Sequence, residues 1–196
     1  IELLEAQGKI IKMENYEHDY PYCWRCDAPL LYYATLSWFV KVTAFRERLV
    51  EKNKEINWYP SNIKDGRFGE WLAGAKDWAL SRKKFWGTPL PIWRCECGEL
   101  TCVGSREELR KLTGAGENID LHKPGIDELE IKCKCGGTQK RVNDVIDCWY
   151  DSAAAPFAQL HYPFENNDYF KKRFPYDFIA EAIDQTRGWF YTMHVL

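Results

Sequence analysis

The stretch Phe178-Ile-Ala-Glu181-Ala-Ile-Asp184-Gln185-Thr-Arg187-Gly188-Trp189-Phe190 decides how the rest of the chain is read. It opens as a short apolar run and turns polar at Glu181, Asp184 and Gln185. It then continues into Trp189-Phe-Tyr-Thr-Met-His-Val-Leu196, which has the apolar density of a buried helix. That order predicts strand, tight turn, helix. In an open α/β sheet, ligands sit where strands end and helices begin. With Asp184 as N-cap, Gln185 and Trp189 fall one turn apart on one helical face. A carboxylate, an amide and an indole then converge on one crevice. A capped helix with a buried tryptophan explains this stretch equally well, so the rest of the chain must decide.

With 196 residues, 45% hydrophobic and 29% charged, the chain can build a core as one large domain or two small ones. A net charge of −2 and a pI near 6.1 give no overall pull toward nucleic acid or membrane, so any basic surface must be local. No apolar run approaches the ~20 residues that span a bilayer, and no signal-peptide pattern opens the chain. A cytoplasmic location without membrane partners is the default expectation. Nine Trp, eleven Tyr and ten Phe suit flat-ligand pockets or thick aromatic packing. Ile1-Glu-Leu-Leu-Glu-Ala-Gln-Gly8 starts in helical periodicity with Gly8 as its stop, and Val195-Leu196 ends inside an apolar helix. Both ends lack the polar, frayed character of natural termini, which predicts a piece of a larger protein.

Eight cysteines fall at 23, 26, 95, 97, 102, 133, 135 and 148. Cys95-Glu-Cys97-Gly98 and Cys133-Lys-Cys135-Gly136-Gly137 are two short pairs, each followed by glycine. A thiolate pair on a tight turn, with backbone N–H groups curled toward sulfur, makes a zinc knuckle, and four thiolates close a tetrahedral structural site. The 35 residues between Cys97 and Cys133 leave room for a helix, Ser105 to Leu112, which Ser105 and Glu108 start as a capping box. Reduced surface thiols, or two disulfides in a secreted protein, are the competing reading. Cys23-Trp-Arg-Cys26 lies between proline-punctuated flanks, unlike a thioredoxin-type motif. It fits half a zinc site better than a redox pair. Cys102 and Cys148 read as small buried hydrophobes.

Leu30 to Val42, rich in aromatic and β-branched residues, predicts two short strands or one kinked strand. Thr43 to Asn53 and Phe68 to Leu80 predict amphipathic helices, with an Asp65-Gly66 turn between them. Ser81-Arg-Lys-Lys-Phe-Trp-Gly-Thr-Pro-Leu-Pro-Ile-Trp93 cannot be an ordinary central strand, because proline lacks a ladder donor. It suits an irregular strand beside a ligand. There Arg82, Lys83 and Lys84 would touch phosphate and Phe85 and Trp86 would stack a base, unless the segment is a solvated turn. Arg141 to Ser152 predicts a strand whose C-terminal end is polar. His161 falls in a loop, and Tyr169 to Phe174 forms a short amphipathic turn.

Four of these stretches carry a resemblance. Tyr20-Pro-Tyr-Cys-Trp-Arg-Cys26 resembles the segment after an inserted editing domain. Asp77-Trp-Ala-Leu-Ser-Arg-Lys-Lys-Phe-Trp-Gly-Thr-Pro-Leu-Pro91 resembles the pattern DWxISRxRxWGTPxP. Asp144 to Ser152 with Pro156 to Glu165 resembles DVxDCWFDSG…PFAQxHYPFE, and the opening stretch resembles EGxDQxRGWF. Together, covering most of the chain in order, they resemble the class I aminoacyl-tRNA synthetases, specifically the isoleucine-specific members of the archaeal and eukaryotic-cytosolic type. The valyl and leucyl relatives share the Trp-Gly-x-Pro-x-Pro region, and the last motif picks isoleucine.

The resemblance implies an α/β fold: part of a Rossmann-like catalytic core with a small zinc-ribbon-like insert. Residues 1–66 would form a connective region, 67–93 and 141–196 part of the core, and 94–140 the zinc-binding insert. It further implies isoleucine, ATP with Mg, and tRNA(Ile) as partners of a monomeric full-length ligase. Trp149 and Trp189 would wall the isoleucine side chain. Glu181, Asp184 and Gln185 would hold the ribose hydroxyls, ammonium and carbonyl of the adenylate. Cys95, Cys97, Cys133 and Cys135 would bind one Zn, and Cys23 with Cys26 would complete another with an upstream pair. Ala182 and Ala153 stand where the family has glycines, which puts the local ligand geometry in question. Lys83-Lys84 replaces an arginine-containing pair and loosens any bidentate phosphate contact. No His-x-Gly-His or Lys-Met-Ser-Lys-Ser stretch occurs, so these residues alone are expected not to activate isoleucine. The alternatives are a zinc-ribbon nucleic-acid-binding module and a thiol oxidoreductase using Cys23 and Cys26.

Overall fold

In the computed structural model, which describes residues 1–196 throughout, helix α1 (Glu2–Ala6) forms as predicted, and Gly8 turns the chain at φ 63°. The chain divides into two units, Ile1–Leu36 and Ser37–Leu196. Past α1 the first unit is irregular apart from the turn at Cys23. There the Cys23 and Asp27 N–H groups donate to Ala28 O and Cys23 O, each at 2.8 Å, and Tyr22 bridges Pro29. The strand predicted from Leu30 does not form before Phe39, because a strand needs a partner and no segment pairs with residues 30–36.

The second unit begins with strand β1 (Phe39–Val40), then helices α2 (Arg46–Asn53) and α3 (Gly69–Ala73). A π-helical turn, Lys64–Phe68, enters α3 through a kink at Gly66. The helix predicted to run to Leu80 stops at Ala73, where Gly74 leaves helical geometry with its N–H on Glu70 O. Residues 78–79 become strand β2 (Trp78–Ala79), pairing antiparallel with β1. Asp77 ties the approach to β2 to the 3-10 turn that follows β1, Val42–Ala44: its Oδ1 accepts the Thr43 N–H at 2.9 Å and the Thr43 hydroxyl at 2.7 Å. These two donors hold the Asp77 carboxyl below the usual range.

Next come β3 (Ser81–Arg82), β4 (Ile92–Cys95), β5 (Leu100–Cys102) and helix α4 (Arg106–Thr113). The Ser105 half of the predicted capping box forms, Ser105 Oγ accepting the Glu108 N–H at 3.1 Å, while the Glu108 carboxylate reaches one residue further back, to the Gly104 N–H at 2.8 Å. Strands β6 (Ile131–Lys132) and β7 (Thr138–Arg141) complete a four-stranded antiparallel sheet in the order β5-β4-β7-β6. Fully buried Trp93 centres its core among Val103, Leu109, Ile126 and Ile131.

Strand β8 (Val145–Ile146) pairs antiparallel with β3 on one side. On the other, Ile146 N–H donates to Thr88 O at 2.7 Å and Leu90 N–H to Asp144 O at 3.1 Å. The Gly87–Leu90 segment is thus the irregular strand its prolines predicted. Gly87 has φ 145°, and a Cβ there would stand 3.2 Å from Val145 Cγ2, so the close approach requires glycine. The strand predicted to run through Ser152 ends at Ile146, because Asp147 caps a helix instead, α5 (Cys148–Ala153). Short helices α6 (Ala155–Ala158) and α7 (Asn167–Arg173) follow. Phe178–Ala182, the strand predicted at the outset, pairs with nothing, and every paired strand of the chain is antiparallel.

The final helix, α8 (Trp189–Val195), packs Phe190, Tyr191 and Val195 onto Val42, Leu49, Phe68 and Leu72. Each fully buried large side chain there contributes about 1.5–3 kcal/mol. His194 lies in this layer, its ring edge-on to Phe68 at 5.6 Å, with Nε2–H donating to Leu49 O at 2.8 Å. Burial lowers its pKa below the usual value, against the opposing Leu49 hydrogen bond. A buried base kept neutral favours folding at high pH. Stability is therefore fully present above the ordinary histidine value, about 6.5, and declines below it as the unfolded chain gains a proton that the folded chain resists. Urea midpoints measured from pH 7.5 to 5.5 should fall, and less steeply in His194→Gln. An equal slope in the variant would remove His194 as the cause.

Candidate active-site wall and thiol cluster

The polar turn of the opening stretch is a 3-10 turn, Ile183–Arg187. Asp184 does not cap α8; the helix starts at Gly188–Trp189, and Gln185 caps it from the side. Gln185 Oε1 accepts the Trp189 N–H at 2.9 Å, and Gln185 Nε2 donates to Asp184 Oδ2 at 3.1 Å. Thr186, fully buried, closes the turn by donating to Ile183 O at 2.7 Å while accepting from Arg67 Nε at 2.9 Å.

Helices α5 and α8 pack side by side here. The Trp189 indole donates to Ser152 O at 3.0 Å. A Cβ on Gly188 would stand 2.7 Å from Gln185 Oε1 and 3.3 Å from the Trp149 ring. Glycine lets Trp149, Gln185 and Trp189 converge. Trp149 is 40% exposed and Trp189 half-buried, so an apolar surface with a polar margin faces outward. The structure thus joins Trp149, Trp189, Gln185 and Asp184. Glu181 lies exposed in the irregular run before the turn.

Beneath this cluster sits a residue that sequence reasoning missed. Asp147 is 3% exposed. Its Oδ2 accepts from Arg82 Nη2 at 2.6 Å and from Trp78 Nε1 at 3.0 Å, while Oδ1 accepts the Trp149 N–H at 3.3 Å. Arg82 also donates to Ala79 O and Ser81 O. The phosphate contact expected of Arg82 gives way to this ion pair, because a buried carboxylate demands a partner. Lys83, Lys84, Phe85 and Trp86 remain exposed. Nearby, burial raises the Asp151 carboxyl, the Thr88 hydroxyl opposes that, and the Asp147 charge adds to it. The one signal in the sequence was Asp-x-Trp, a cap residue just before the helix carrying Trp149.

Cys95, Cys97, Cys133 and Cys135 form the second constellation. Their sulfurs lie within 4.8 Å of one another, with Cys95 to Cys135 at 3.6 Å and Cys97 to Cys133 at 3.7 Å. A tetrahedron of sulfurs about 2.3 Å from Zn has edges of about 3.8 Å, so the four thiols fit that ion. Backbone curls serve them: Gly98 and Gly136 take φ 93° and 87°, and Gly137 N–H faces Cys135 Sγ at 3.4 Å. The Cys135 N–H, outweighing burial, brings Cys133 down to about 7, with the other three thiols helping. The Glu99 N–H lowers Cys97, yet hydrogen bonds with Cys95, Cys135 and Cys133 push it up to about 12. Four clustered sulfurs resist ionising together, and a dication would cancel that charge.

Cys23 and Cys26 lie in the first unit. The N–H groups of Arg25 and then Cys26 point at the Cys23 sulfur and lower its pKa, the backbone curl of half a thiolate site. Cys102 and Cys148 are exposed, not buried. Cys102 ends the edge strand β5, and Cys148 opens the first turn of α5, where its thiol lies 3.7 Å from Asp147 Oδ1. His161, predicted as a loop residue, sits in a turn with Nδ1 3.0 Å from Glu165 Oε1.

A family model described as tRNA synthetases class I (I, L, M and V) matches residues 5–196. An isoleucine–tRNA ligase of Treponema denticola is 55% identical over 100% of this chain and 18% of its own length. Those of Clostridium acetobutylicum and Thermus thermophilus are each 56% identical over 98% of this chain and 19% of their own. The chain spans about a fifth of the length of these curated relatives. A solved LeuRS from Agrobacterium radiobacter K84, in a ternary complex with tRNA and LeuAMS, is 26% identical over 53% of this chain and 14% of its own. Its TM-score is 0.27. No helix here is long and apolar enough to cross a membrane.

Proposed function

Because this chain belongs to the class I tRNA synthetases (I, L, M and V), we propose that it is part of an isoleucine–tRNA ligase. That enzyme joins isoleucine to ATP as an adenylate, releasing pyrophosphate, and passes the aminoacyl group to the 3′ end of tRNA(Ile). The observation that carries the reading is 55–56% identity to isoleucine–tRNA ligases over 98–100% of the chain. The convergence of Trp149, Gln185 and Trp189 at Gly188 supports it. Those relatives are bacterial and lend the archaeal and eukaryotic-cytosolic branch no support.

In this reading Trp149 and Trp189 flank the isoleucine side chain, and Asp184 and Glu181 accept from ammonium and ribose hydroxyls. Gln185 uses Oε1 on the Trp189 N–H and one Nε2 hydrogen on Asp184. Its second Nε2 hydrogen remains for a ligand carbonyl. The residues position reactants and stabilise charge, so no covalent intermediate on the chain is needed. ATP enters with Mg in the full-length enzyme. Residues 67–93 and 141–196 belong to its Rossmann-like core, and 1–66 to a connective region. Residues 94–140 form an insert around one structural zinc on Cys95, Cys97, Cys133 and Cys135. Cys23 and Cys26 supply half of a second zinc site. The full-length ligase is monomeric and cytoplasmic.

ATP–pyrophosphate exchange tests this. The full-length protein should exchange with isoleucine, and these 196 residues alone should stay at background. Trp189→Ala should raise the KM for isoleucine about tenfold or more, the scale of one lost apolar wall. No isoleucine-dependent exchange in the full-length protein would overturn the function. Unchanged KM and kcat in Trp189→Ala would overturn the pocket.

A further inference from the structure

Lys123 is only 7% exposed, and lysine is almost never buried unless paired. It lies in the loop before β6, far in sequence from everything its ammonium touches. That group has three hydrogens and meets three acceptors: Asn143 O at 2.8 Å, Asn143 Oδ1, and Lys84 O at 3.5 Å. It also stands 5.9 Å from the Phe85 ring centre. One residue earlier, His122 stacks flat on Trp86, ring centres 5.1 Å apart and planes 3° from parallel. Asp120 Oδ1 holds His122 from behind, accepting both its N–H and its Nδ1–H.

The loop is itself fixed from the four-stranded sheet. Ile126 and Leu129 pack around Trp93, whose indole donates to Leu129 O at 2.7 Å. The Trp93 strand runs directly into Cys95. We propose that Lys123 is the positioning residue for the Lys84-Phe85-Trp86 loop. Its ammonium pins that loop to Asn143, so that the order of the thiol-bearing sheet reaches the segment entering Gly87 and Thr88. Lys123 offers no free donor to a ligand, since its three hydrogens face protein oxygens. Its effect on exchange rests on the function proposed above; its effect on the loop does not.

The test uses the full-length, zinc-loaded protein with Lys123→Met, which keeps the apolar stem, and Asn143→Ala, which alters the partner. Tryptic cleavage after Lys83 and Lys84, mapped by mass spectrometry, reads local opening. Cleavage should rise about tenfold or more in Lys123→Met with zinc retained, and less in Asn143→Ala, as expected for lost charge-assisted hydrogen bonds. In exchange, kcat should fall while the KM for isoleucine stays within about twofold, because Trp149 and Trp189 are untouched. Cleavage unchanged within about twofold in both variants overturns the proposal, whatever happens to exchange. If Lys123→Met loses its zinc, Asn143→Ala decides by the same cleavage criterion. Absence of exchange in the unsubstituted protein sinks the function alone, and cleavage still decides Lys123.

Discussion

Asp147→Ala is expected to destabilise the chain by about 2–4 kcal/mol, through a lost helix cap and a broken buried pair. The carboxylate is almost wholly enclosed, and three groups from separate elements point at it: Arg82, Trp78 and the Trp149 N–H. Removing one partner of a fully buried pair costs about 3–5 kcal/mol. The Arg82 side chain is 41% exposed, so water recovers part of its charge and the expected cost drops to about 2–4 kcal/mol. Asp147→Asn keeps an acceptor and the cap, and should cost roughly half as much. A lower urea midpoint with an unchanged m-value is the signature. In the full-length protein both variants should also lose exchange activity, because Asp147 sets the start of the helix carrying Trp149. A midpoint indistinguishable from the unsubstituted chain would refute the network's role.

Zinc removal should have the larger effect. Apparent binding energies of about 10–16 kcal/mol are typical where a structural zinc holds a small fold, and the four thiols join the β4–β5 and β6–β7 turns at one end of the four-stranded sheet. The full-length protein should carry zinc, and Cys95→Ser should lose about one equivalent. Cys23→Ser should retain the equivalent bound by the four-thiol cluster. Chelation should abolish amide protection across residues 92–141. Retention of full zinc content by Cys95→Ser would sink the assignment of these four thiols as its ligands.

The parts of the structure that sequence reveals are those decided within a few residues. The Ser105 cap, the stop at Gly8 and the glycine-followed cysteine pairs all belong to this class, since donor and acceptor lie within one turn. Strands are relations between distant segments, and reading them from one segment misplaced three of them, the first being the strand expected from Leu30, which finds no partner before Phe39. Phe178–Ala182 has the composition of a strand but no partner. Arg141–Ser152 has a strand's alternation, yet Asp147 diverts it into a helix. Arg82 looked like a phosphate ligand because its partner lies 65 residues away, and no local pattern announces that pair. The motif singled out Trp149, Asp184, Gln185 and Trp189, which the fold brings together, but not what supports them: Gln185 as a lateral cap, Gly188 as the contact point and Asp147 beneath are products of tertiary packing.

Chain enters the four-stranded sheet along Leu90–Trp93 and leaves along Arg141–Asp144. These two crossings are mutually hydrogen-bonded, Val142 N–H to Ile92 O at 2.9 Å and Leu90 N–H to Asp144 O. The residues between Trp93 and Arg141 therefore hang from a closed antiparallel gate, much as a long loop hangs from a hairpin. Closing such a gate costs an entropy that grows only with the logarithm of what it encloses, about 0.6 kcal/mol for each doubling. The module can lengthen or shrink while β8, and the helix it launches, keep their place. The contacts that would register the change are those of Lys123 and His122, the side chains that reach back across the gate.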